Sequence, residues 1–171
     1  MTPHGRAWTL VRALCVGALL FASSGCKAEP QARAAQAAAS RVSPAGLELV
    51  PLEIRSGTQL HRFVVEVAAT PEQQQHGLMF REHVGPAEGM IFPLAPPKPA
   101  VFWMKNTIVP LDMIFIRADG TIASIAANTV PYSLAPVGVG EPVAAVLEIA
   151  GGRSAELGIK AGDRVHWSGQ P

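Results

Sequence analysis

From Leu47 onward the chain alternates short apolar runs, rich in Val, Ile, Phe and Trp, with Gly, Pro and Asp, and this punctuation most limits the folds open to it. No run is long enough for a buried helix before a breaker ends it, so the pattern predicts strands joined by tight turns. LDMIFI and TIASIA (Leu111–Ile116 and Thr121–Ala126) flank RADG, an Asp-Gly turn between alternating apolar runs. LELVPLEIR and HRFVVEVA around SGTQ read as a second hairpin, with Phe63, Val65 and Val67 on one face and Arg62, Val64 and Glu66 on the other. GMIFPL and AVFWM are expected as two strands, because Pro96, Pro97 and Pro99 lie between them. AAVLEIA and GDRVHW complete the set.

Two short helices fit between these runs. In TPEQQQHGL, Thr70 is placed to cap, Pro71 to open the first turn, Gln73 to close a capping box and Gly77 to stop the helix. GGRSAELG supplies a turn or two more. The expected fold class is mostly β, a β-rich α+β domain: a compact, barrel-like, mainly antiparallel sheet of about eight short strands and two short helices.

The first 45 residues are a separate matter. Arg6 and Arg12 precede the apolar run LCVGALLF and then SSGC, the pattern of an export signal over residues 1–25, with Cys26 as a candidate for lipidation. Cleavage by the ordinary signal peptidase at the small residues near Ser24 is the alternative. Residues 26–45, rich in Ala, Gln and Pro, are expected to form a disordered tether, leaving residues 46–171 as a single domain. Cys15 would leave with the signal, so Cys26 alone remains and no internal disulfide can form. The mature protein is therefore expected in the periplasm, free or held to the membrane by a lipid on Cys26.

Charge and motifs remove several functional classes. Lys plus Arg is 14 against 13 for Asp plus Glu, which offers nucleic acid no field. There is no P-loop, HExxH or GxSxG motif, and His61, His76, His83 and His166 lack ligand spacing, so neither a metal nor a cofactor is expected.

What remains is a set of polar residues beside large apolar ones. Arg81 follows Met79 and Phe80, where its forked donors could hold an anion or, as the favoured reading, tie to Glu148 or Asp112. VFWMKNT carries Trp103, Lys105 and Asn106 from a strand into a loop, with Asp112 opening the next strand. Arg81, Trp103, Lys105, Asn106, Asp112 and Glu148 are the candidate ligand-binding residues.

GLMFRE, EGMIF, FWMKNTIVPLDMIFI, VLEIAGG and LGIKAGDRV, in this order and spacing, resemble the prokaryotic family catalogued as domain of unknown function 192. The resemblance runs from about Leu47 to Trp167 and implies a compact β-rich barrel, often exported or membrane-associated, with no activity attached. The function expected from these residues is a non-catalytic envelope binding module with a loop-rimmed pocket, its partner a small molecule or an envelope protein. Two alternatives stay open: an envelope enzyme acting on carbohydrate or peptide, with Lys105 and Asp112 as acid and base, or a scaffold whose polar residues only satisfy one another.

Overall fold

The computed structural model describes residues 42–170. The expected signal segment, Cys26 and the tether up to residue 41 lie outside these residues. The elements are β1 (Leu49–Ser56), β2 (Gln59–Val67), α1 (Pro71–His76), β3 (Glu88–Phe102), β4 (Leu111–Ile116), β5 (Ile122–Ala126), β6 (Val137–Ala150), α2 (Arg153–Glu156) and β7 (Arg164–Trp167). One curled mixed sheet, in the order β5-β4-β6-β3-β2-β1-β7, forms a half-barrel. Its two outer strands approach through a bridge between Thr121 and Arg164.

Local signals build most of these elements as expected. Gly57 takes the first central position of the β1–β2 turn with φ 57°. Thr70 accepts from the Gln73 amide while the Gln73 side chain accepts from the Thr70 amide, closing the capping box, and Pro71 opens α1. Ser43 is buried and accepts from the Ala45 and Leu47 amides, so the chain is seated on the domain a few residues before Gly46.

Two expectations are corrected. GMIFPL and the AVF of AVFWM are one strand, β3, which reduces the count to seven. Beyond Ile91 this strand pairs only with β6, and the irregular register between Pro93 and Ala100 absorbs the prolines on the unpaired edge. β6 likewise begins at Val137, ahead of AAVLEIA, so the two strands extend past the rest of the sheet as a ribbon. The sheet is also not wholly antiparallel, because β2 and β3 run parallel over Val64–Val67 and Glu88–Ile91, with α1 in the crossover.

The sheet has a core on each face. Leu52, Ile54, Phe63, Ile114, Leu147 and Trp167 pack inside the curl. Met90, Phe92, Met104, Met113, Phe115 and Val146 pack on the other face, beneath the loops and the ribbon. Every residue of β4 is buried, as is every residue of β6 from Val143 to Ile149, so apart from Asp112 and Glu148 these stretches are apolar. Gly89 makes the close approach possible, because a Cβ there would run into the Glu148 carbonyl oxygen of β6.

Leu147→Ala, at a fully buried position of β6, is expected to cost about 2–5 kcal/mol, measured by urea unfolding. A loss of less than about 1 kcal/mol would contradict the two-core arrangement.

Candidate functional site

The second face of the sheet carries a row of side chains in register: Glu66 on β2, Met90 on β3, Glu148 on β6 and Met113 on β4. Glu148 has only 4% of its surface exposed, and no described residue donates a hydrogen bond to its carboxyl. Burial pushes its pKa from the ordinary 4.5 up to about 8, so it carries a proton at neutral pH. This carboxyl lines an open cleft of about 480 Å³, together with Leu78 and Met79 after α1, Phe92 and Phe102 of β3, and Thr107. The Phe92 and Phe102 rings meet edge to face, 5.1 Å between centroids.

VFWMKNT runs along the mouth. Phe102 and Met104 turn into the second core, whereas Trp103 is 49% exposed and lines the cleft. The Lys105 Nζ sits 5.3 Å from the Trp103 ring centroid. A smaller cleft of about 290 Å³ shares Gln75, His76, Met79 and Trp103 with the first and adds Lys105 and Asn106. The Asn106 side chain donates to the Met79 sulfur at 3.8 Å.

The backbone here is unusual. Phe80, Asn106 and Tyr132 have φ of 63°, 56° and 61°, a left-handed conformation that a bulky aromatic rarely adopts. Three backbone hydrogen bonds hold the segments together: the Phe80 amide donates to the Asn106 carbonyl, Met104 to Ser133, and Tyr132 to Thr107. The mouth is thus a clasp of three loops that presents Phe80, Trp103 and Tyr132 to solvent.

Two of the candidate residues are taken up elsewhere. Arg81 does not tie to Glu148 or Asp112; its Nη2 donates to Glu66 Oε2 at 2.6 Å, over a separate hollow. Asp112 is fully buried. Its Oδ1 accepts from the Asn128 and Gly152 amides at 2.7 and 2.8 Å, and its Oδ2 from the Ser154 amide at 2.7 Å. This carboxylate joins the start of β4 to the segment after β5 and to the turn into α2, and it does not line the cleft where Lys105 stands. Gly152 reaches the knot because it can take φ 81°.

The structure therefore brings Trp103 and Glu148 to one cleft and Trp103, Lys105 and Asn106 to its neighbour. Sequence reasoning missed Glu66 as the partner of Arg81, and Met79, Phe92 and Thr107 as cleft walls. Alternation in β2 placed Glu66 opposite Phe63, Val65 and Val67, where Val64 is exposed, but Glu66 itself is buried, and an acid there needs a partner.

Asp112→Ala should cost about 2–4 kcal/mol by leaving three amides without an acceptor, whereas Lys105→Ala should be neutral within about 0.5 kcal/mol in the same thermal melts. Glu148 gives a signature in pH. Its folded pKa lies above the unfolded one, so the stability of the protonated form is complete below about pH 4.5 and lost as pH rises to about 8. Glu148→Gln stays neutral throughout. Its advantage over the parent chain should grow by about 1.4 kcal/mol per pH unit across that window in urea unfolding, then level off. A difference independent of pH would show that the carboxyl is not held neutral.

Comparison with solved structures gives the same architecture. A protein of unknown function from Novosphingobium aromaticivorans DSM 12444 is 49% identical, with a TM-score of 0.72 over 74% of this chain and 91% of that one. A proposed transcription regulator from Sinorhizobium meliloti 1021 is 40% identical, with a TM-score of 0.70 over 72% of this chain and 96% of that one. Among curated proteins, none matches this chain. The DUF192 profile, described as Uncharacterized ACR, COG1430, matches residues 52–167, the half-barrel and both clefts together, and the chain belongs to that family.

Proposed function

We propose that this protein is a non-catalytic binding module of the cell envelope that takes a small molecule into the cleft between α1 and the β3–β6 ribbon. One observation carries the reading: a buried carboxyl without an internal hydrogen-bond partner lies in an open cleft with aromatic walls. A group like this is costly to the folded chain unless water or a ligand in the cleft satisfies it. Export, with a lipid on Cys26 as the anchor, is part of the proposal and is supported by Arg6, Arg12 and the apolar run before SSGC. A role like that named for the Sinorhizobium meliloti neighbour finds little support here, because a net charge of +1 gives no field for nucleic acid. Catalysis by Lys105 and Asp112 lacks support for a different reason: the Asp112 oxygens already accept three backbone hydrogen bonds.

Titrating the full chain with a fragment library and following amide resonances should move Gly77, Met79 and Val101 to Trp103 together. Trp103→Ala should weaken the best fragment about tenfold while leaving the melting temperature unchanged, since the ring is half exposed. Shifts confined to other surfaces would overturn this reading.

A further inference from the structure

The described acids differ in how they are answered, and the difference points to the ligand. Glu66 meets Arg81 at 2.6 Å, Asp112 accepts three amides, and Asp163 accepts the Lys160 amide at 2.8 Å. Among the buried acids described, Glu148 alone has no donor. The cleft it lines is also lined by the Phe92 and Phe102 rings, Met79 and, at the mouth, Trp103. Rings of this kind attract a positive charge, and a carboxylate among them supplies the counter-charge.

We propose, building on the binding reading above, that the ligand of this cleft carries a cationic nitrogen group, an ammonium or guanidinium on a short apolar stem, which pairs with the Glu148 carboxylate. A neutral acceptor would engage the single O–H of the acid and leave the aromatic rings of the cleft without an electrostatic partner. A cation uses both. The exchange is balanced: the Glu148 O–H bond breaks, the proton leaves to buffer, and the carboxylate so formed pairs with the ligand charge.

The charged groups around the site permit this. Lys98 of β3 and His76 of α1 line the same cleft but are exposed at its mouth. Lys105 is drawn over the Trp103 ring, and Glu72 lines the neighbouring cleft. On β2, Glu66 is already paired with Arg81, and the β4 neighbour in the row is Met113, which carries no charge. No described cation reaches the Glu148 carboxyl within ion-pair distance, leaving that place to the ligand.

The test compares benzylguanidinium with benzylurea, its neutral isostere, on the full chain by calorimetry and amide shifts. Benzylguanidinium should bind about tenfold or more tightly than benzylurea, and Glu148→Gln should abolish the preference. At about pH 6.5, titration in two buffers of different ionisation heat should show release of close to one proton, vanishing above about pH 9. That measurement needs no variant. Equal binding of both probes in the cleft, or binding of the cation without proton release, would overturn the cationic ligand and leave the binding reading intact. If neither probe at millimolar concentration shifts the cleft residues, both fall.

Discussion

The middle of this domain is buried on both faces. β6 pairs with β3 on one side and β4 on the other, and from Val143 to Ile149 none of its side chains reaches solvent freely. A strand in that position tolerates apolar residues of matching size and little else, because a polar group there loses its water whichever way it points. The two cores, the close approach at Gly89 and the position of the cleft all follow from this sandwiching.

Against that background the buried acids divide by how they are compensated. Asp112 is satisfied by backbone amides and works as a knot where β4, the segment after β5 and α2 meet. Glu66 is satisfied by Arg81. Both serve the fold, and Asp112 and Arg81 were plausible as site residues while their partners were unknown. Glu148 lies in the fully buried stretch of β6 and has no described partner, and its neutral form answers burial by holding a proton. The cleft opens beside it because the β3–β6 ribbon and the clasp of three loops cover the second core without closing over Phe92, Phe102 and the carboxyl.

Elements that depend on neighbours in the chain were legible. The capping box at Thr70 and Gln73, the Gly57 turn and the Asp-Gly hairpin place α1, β1–β2 and β4–β5 from a few adjacent residues each. In VFWMKNT, alternation sends Trp103 opposite to Phe102 and Met104, as observed, although the strand itself ends at Phe102, two residues before Met104. The prolines of APPKP misled because their meaning depends on what lies on each side of the strand: they break one paired on both edges and are tolerated on a free edge.

The sequence by itself determined the β-rich class, the turns, the short helices and the family, because these rest on propensities and patterns spanning a few residues. Only the tertiary structure decided which polar residues serve the fold and which face the cleft. Arg81 lies 15 positions from Glu66, and Asp112 lies 42 from Ser154, separations at which no local pattern constrains partner choice. The role of a charged group in a chain like this depends on what desolvates it and what answers it, and both are supplied by strands far away in sequence.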